Sequence, residues 1–236
     1  MCGAYGYSTK EEREIYKRFD VENTLENFKP HWNRHIGTMN PVIYMTADGV
    51  QIRYMYWSFI PSWAPEKRLK FSTFNARDDH LMQGIYKVAV PKQRCLIPAT
   101  YFFEPDRIHF PKPKQAPWYL FKLKDQEIFA LAGLYNIWTD PKTKEELFTY
   151  TIITTDPNAD VGKHHDREPA ILPRNQEKQW LNPDLTEPEQ VLPMLKPYPS
   201  GAMESWRVPD DAKNPRNDYP EVIERYKEPR QARLLN

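Results

Sequence analysis

The residues of this chain best equipped for chemistry are a cysteine at position 2, a glutamate at 104 that closes an aromatic run, and a histidine at 165 inside KHHDR. The chain begins MCGAYGY, so loss of Met1 would leave Cys2 with a free α-amine beside its thiol. An α-amine titrates at about 7.7–8.0 and a thiol at about 8.5, which makes both partly nucleophilic near neutral pH. Two nucleophiles on adjacent carbons can attack one carbonyl carbon. The plain alternative is an ordinary terminal residue with no chemical role.

Three internal segments concentrate polar side chains among apolar ones: WSFIPSWAPEKRLKFSTFNARDDH, CLIPATYFFEP and TIITTDPNADVGKHHDREPAIL. Glu104 follows Tyr101-Phe102-Phe103. It is either the polar end of a strand or a carboxylate desolvated by aromatics, with the raised pKa that a general acid requires. Of His164 and His165, only one can face a given side of an extended segment, and His165 is the candidate. Asn75 suits a helix cap over Ala76–Met82, and Arg77 suits a surface ion pair with a neighbouring aspartate. Trp57 and Trp63 serve as core or as stacking surfaces. Cys95, inside an apolar strand, reads as a buried small hydrophobe.

These residues need a scaffold. STKEEREIYKRF predicts a short helix opened by a Ser8/Glu11 capping box, and TEPEQVL another opened by Thr186 and Glu189. LPRNQEKQWL is also helical. PVIYMTADGVQIRYMYW reads as a hairpin turning around Asp48-Gly49, and four further apolar runs read as strands. With no internal repeat and no dividing linker, residues 1–236 form one α+β domain. Its strands are mostly antiparallel and curved into a barrel-like sheet, with a few peripheral helices. The core spans about residues 2–210, and a polar, proline-containing arm spans about 211–236.

Composition narrows the function. The 236 residues carry a net charge of +1, so any polyanion site must be local rather than a whole-surface field. Lys67, Arg68, Lys70 and Lys163 are candidates for such a local channel. The two cysteines share no metal-ligand or disulfide spacing, so no metal or cofactor is expected. The polar N-terminal stretch excludes a secretory signal, and no apolar run has membrane-spanning length. A cytoplasmic protein is the expectation.

Taken in order, MCG, IPSWA…NAR, CLIPA…FFE and HDR.P.IL resemble the SOS response-associated peptidase (SRAP) family, over Cys2 to about Leu172 and more loosely through VPDDAKNPRND. The resemblance implies a pseudo-barrel α+β fold and active positions at Cys2, Asn75, Glu104 and His165. It implies covalent capture of abasic sites in single-stranded DNA, with autoproteolytic loss of Met1 and lyase-type activity. The Cys2 amine would form a Schiff base with the ring-opened sugar, and the thiol would close a thiazolidine. Glu104 would hold the amine and shuttle protons, and His165, titrating near 6.5, would protonate the sugar oxygen. Asn75 would anchor the Cys2 backbone or sugar oxygens. Arg77, Lys67, Arg68 and Lys163 would contact phosphate, and Trp57, Pro61 and Trp63 would stack or wedge beside the lesion. Asn33 matches a family asparagine. A one-to-one covalent product needs only a monomer.

The chain departs from the family pattern at Ala4, Ile36, Ser58, Pro105 and Glu168. Losing a cation at position 4 and gaining an anion at 168 predicts weaker DNA affinity. Two other classes compete: an N-terminal-nucleophile glutamine amidotransferase, against which the scarcity of glycine (8) counts, and a non-covalent single-strand-binding module.

Overall fold

The computed structural model describes residues 2–9, 11–112 and 115–228. Thirteen strands dominate the described residues. They are β1 (Ala4–Tyr7), β2 (His31–His35), β3 (Met39–Thr46), β4 (Gly49–Trp57), β5 (Asn75–Arg77), β6 (Arg94–Ala99), β7 (Tyr101–Pro105) and β8 (Trp118–Leu123). The others are β9 (Phe129–Thr139), β10 (Glu146–Thr155), β11 (Glu168–Pro169), β12 (Ile171–Leu172) and β13 (Met203–Arg207). Helices α1 (Glu12–Phe19), α2 (Arg174–Leu181) and α3 (Pro188–Val191) lie outside the sheets.

The pairings β10–β4–β3–β6–β9 return to β10, so five strands close a barrel. Closure removes the unpaired edges that open sheets must protect. Strands β11, β12 and β5 attach to its rim, and β5 runs parallel to β10 with Asn75 level with Ile152. A second sheet has the order β13-β8-β7-β1-β2 and is antiparallel throughout.

The two sheets share a core. Tyr5, Phe102 and Phe121 from the five-stranded sheet pack with Trp57, Ile97 and Tyr150 from the barrel. The opposite face of that sheet buries Ala4, Tyr101, Phe103 and Leu120 against Val208, Ala212 and Val222. Side chains along a strand alternate between faces, so Glu104 shares the barrel-facing side with Phe102, and its exposure is 0%. A third cluster lies under α1 and α2, around Ile15, Ile43, Leu96 and Trp180.

Several local expectations shift in register. The hairpin stands, with Thr46 opposite Gly49, so that Ala47 and Asp48 form the turn. Gly49 adopts φ +98°, a conformation that favours glycine. The Ser8/Glu11 capping box does not form: Glu11 occupies the cap position of α1 without a side-chain bond, and the Ser8 backbone N–H donates to Thr100 Oγ1 instead. At α3 the reciprocal cap is made by Glu187 and Gln190, one residue later than Thr186/Glu189. Asn75 caps no helix and opens β5. The segment beyond residue 210 packs as far as Tyr226, with Ala212 and Val222 buried in 3-10 turns and the Arg207 guanidinium over the Tyr226 ring. Residues 229–236 of the expected arm lie outside the described residues. No helix among the described residues is long and apolar enough to cross a membrane.

Candidate active site

Strand β1 enters the five-stranded sheet between β2 and β7, with Ala4 opposite Phe103. Continuing that register by one residue sets Gly3 level with Glu104 and places Cys2 at the sheet end where the carboxylate lies. Cys2 is fully buried, and its thiol lies 3.5 Å from Ala4 O. Burial, reinforced by the Glu104 carboxylate, pushes the thiol well above the ordinary cysteine range. The expectation of a partly ionised thiol is therefore corrected: at neutral pH Cys2 is held as S–H and needs a base.

Asn75 reaches the same point from the barrel. Its Nδ2–H donates to Cys2 O at 2.7 Å, while its Oδ1 is buried without a hydrogen-bond partner among the described residues. An unsatisfied buried carbonyl is costly, and here it offers an acceptor to an incoming hydroxyl or amine.

His165 comes from the turn between β10 and β11, where its N–H donates to Val161 O at 2.9 Å. Its Nε2 lies 3.7 Å from Glu104 Oε2. The Arg167 N–H donates to Nδ1 at 3.1 Å, Asp166 Oδ1 lies 3.0 Å from the same nitrogen, and Nε2 is the nitrogen that faces Glu104. Burial pushes the two groups in opposite directions, Glu104 up to about 7 and His165 down to about 4. Here too the expectation needs correction. His165 does not titrate near 6.5; it is neutral at neutral pH, and Glu104 is the group poised to exchange a proton.

His165 lines an open cavity of about 810 Å³, whose wall also includes Arg77, Arg167 and the chain neighbours of the other three residues, Gly3, Phe74, Phe103 and Pro105. Of the residues expected to bind DNA, Arg77 stands on this wall, exposed and paired through two bonds with Asp79 at 2.8 and 3.0 Å. Lys67, Arg68 and Lys163 are exposed, with the Lys67 ammonium 3.8 Å above the Tyr56 ring. Trp63 is 66% exposed and free to stack.

The remaining DNA-contact expectations are corrected. Trp57 is fully buried, stacks on Tyr150 and donates its indole N–H to Phe74 O at 2.9 Å. It positions the strand that carries Asn75 rather than meeting a base. Pro61 is buried. Asn33 is buried as well, and its Nδ2 donates to the carbonyls of Ala212, Asn214 and Asn217. This fixes the turn bearing Lys213, another residue of the cavity wall. Glu168 is not a surface anion: it is fully buried and accepts the N–H groups of Asn158 and Tyr198.

Sequence reasoning missed Arg107, Ile108, Trp118, His35 and Ile36, all on the wall. Ile36 and Ile108 are 39% and 53% exposed, unusual for isoleucine, and His35 stacks on Trp118. Arg107 and Ile108 stand just past Glu104, and that adjacency was the available signal.

The chain is similar to several known proteins. A family model described as SOS response associated peptidase (SRAP) matches residues 1–215. The chain is 33% identical over 227 residues to the abasic site processing protein YoqW of Bacillus subtilis, covering 95% of this chain and 99% of that one. It is 29% identical to the abasic site processing protein HMCES of Gallus gallus, covering 83% of this chain and 66% of that one. A crystal structure of a protein from Bacteroides thetaiotaomicron superposes with a TM-score of 0.81 at 26% identity, covering 96% of this chain and 100% of that one. The match runs the length of the barrel, the second sheet and the segments that bear Cys2, Asn75, Glu104 and His165, and the chain belongs to the SRAP family.

Proposed function

We propose that the mature chain, beginning at Cys2, captures abasic sites in single-stranded DNA as a thiazolidine. One observation carries this reading: Cys2, Asn75, Glu104 and His165, scattered over more than 160 residues of sequence, come together beside one cavity, which His165 lines along with Gly3, Phe74 and Pro105. The printed names of the relatives, abasic site processing proteins, support the substrate.

The ring-opened sugar presents an aldehyde. The Cys2 amine adds to its carbon, and the carbinolamine loses water to give an imine. The thiol then adds to that carbon, its proton passing to the Glu104 carboxylate while the imine nitrogen takes one up; the net loss is one water. Holding both nucleophiles on one residue makes ring closure intramolecular, an advantage of about 7–11 kcal/mol when well oriented. Glu104, balanced near neutrality, serves each proton transfer in turn. His165 donates its Nε2–H to the sugar oxygen as the ring opens. Asn75 fixes the Cys2 carbonyl and presents Oδ1 to the sugar. Arg77 and its exposed neighbours meet phosphate, and Ile36, Ile108 and Trp63 offer apolar surface to flanking bases.

The test is a denaturing gel of the Met1-free protein with abasic single-stranded DNA. A shift that needs no borohydride, has the mass of the sum less one water, and vanishes in Cys2→Ala is expected. A complex seen only under native conditions, or glutamine hydrolysis without a shift, would overturn the reading.

A further inference from the structure

Behind the cavity wall, two loops that are remote in sequence meet. Asp106 follows β7 and His109 lies three residues on, while His164 immediately precedes His165. Asp106 is 3% exposed, and its carboxylate oxygens lie 3.0 Å from His109 Nδ1 and 3.2 Å from His164 Nδ1. One ligand atom from each residue falls within 4.8 Å of the others. Sequence spacing hides this group, since the two histidines are separated by 55 positions.

We propose that Asp106, His109 and His164 form a binding site for a divalent transition metal of the zinc type, with water completing the coordination. Imidazole and carboxylate are ordinary zinc donors, and three protein ligands plus water form a common open set. In a tetrahedral site with bonds of about 2.0–2.1 Å, neighbouring donor atoms stand about 3.3 Å apart. The two spacings to Asp106 already lie within a few tenths of an ångström of that.

Two of the three ligands are held in advance. Asp106 is tied by its own N–H to Pro117 O, and its Oδ1 accepts the N–H of His109. The His164 ring stacks on Tyr119 at 3.8 Å between centroids and meets Phe121 edge-on. Only His109 must move, and its side chain is 63% exposed, which also provides the entry path.

The position gives the site a consequence. His164 O accepts the N–H groups of Arg107 and Ile108, so the two loops are already joined along the backbone. The ion would add a side-chain staple across that junction, stiffening the wall that presents Arg107, Ile108 and His165 to the cavity. No reaction step passes through it.

The test uses the full chain in a Cys2→Ala background, because a free aminothiol would itself chelate metal. Zn2+ alone is the probe, followed by calorimetry and by thermal melting. One equivalent bound, with a raised melting midpoint, is expected for Cys2→Ala. The Cys2→Ala/His109→Ala variant should bind at least about tenfold more weakly and lose the midpoint rise. His109 is exposed, so the variant retains the fold, which its metal-free melting curve checks. Absence of Zn2+ binding in the Cys2→Ala protein, or equal binding by both, would leave Asp106 and its histidines as a hydrogen-bonded cluster only and overturn the proposal.

Discussion

Asn75 Nδ2 donates to Cys2 O at 2.7 Å, a bond spanning 73 positions that ties the start of the chain to the rim of the barrel. It joins the two sheets at the point where the reactive residue must be held. Replacing the donor by Asn75→Asp keeps the shape but sets a carboxylate against a carbonyl. Adduct formation with abasic single-stranded DNA should slow by about 10²-fold, the usual cost of a small misplacement at a reacting centre. A quenched time course on denaturing gels measures it. A rate within twofold of wild type would remove Asn75 from the mechanism.

Glu104→Gln removes the carboxylate that faces His165 Nε2 while keeping the side chain's size. Loss of a positioned acid–base group costs about 10²–10⁴ in rate. The same time course should show that loss, with the melting midpoint unchanged or raised because a buried charge has gone.

Arg77 spends its free state paired with Asp79, an exposed contact worth about 0.2–1 kcal/mol. Asp79→Asn should therefore leave stability within about 0.5 kcal/mol while freeing the guanidinium for phosphate. Binding to single-stranded DNA should tighten a few-fold at low salt. Arg77→Ala should weaken it and flatten the salt dependence by about one phosphate contact, readable by fluorescence anisotropy across a salt series.

Glu168 connects burial to pH. Its pKa is raised by burial to about 7 from 4.5, so the folded protein binds more protons than the unfolded chain between those values. Its contribution favours folding below about pH 4.5, declines as pH rises, and is constant above about pH 7, a span of up to about 3 kcal/mol. Glu168→Gln should lack that slope. Urea melts of both proteins from pH 4.5 to 8 compare the two, and parallel curves would refute the assignment.

Gly6 lies in β1 between Cys2 and the rest of the chain, and a Cβ there would stand 2.3 Å from the Tyr101 ring. Gly6→Ala should destabilise by about 1–3 kcal/mol through overpacking, lowering the melting midpoint by several degrees.

Much of this was legible in the sequence, for identifiable reasons. The β3–β4 hairpin announces itself through alternation and a turn dipeptide, both local properties. The chemical residues sit inside short, distinctive motifs, so their identity could be read. What could not be read is which side of a wall a residue faces. Trp57 and Trp63 are six positions apart in one motif, yet one is entombed beside Tyr150 and the other stands in solvent. Glu168 looks like a surface anion until the loops carrying Asn158 and Tyr198 wrap it. The capping boxes fail for a related reason: Thr100 and Glu187 offer better partners than the residues three positions along. Titration is the most tertiary property of all, since His165 and Glu104 change places only once both are buried.

Strand β1 has partners on both sides, β2 and β7, and Cys2 lies just ahead of its first residue. DNA joined at that position would be moored to the interior of a sheet rather than to a loose tail. A pull on the polynucleotide would load two hydrogen-bonded ladders lengthwise and together. Freeing the strand by traction alone would therefore mean dismantling the folded body, whereas reversing the covalent bond would leave it whole.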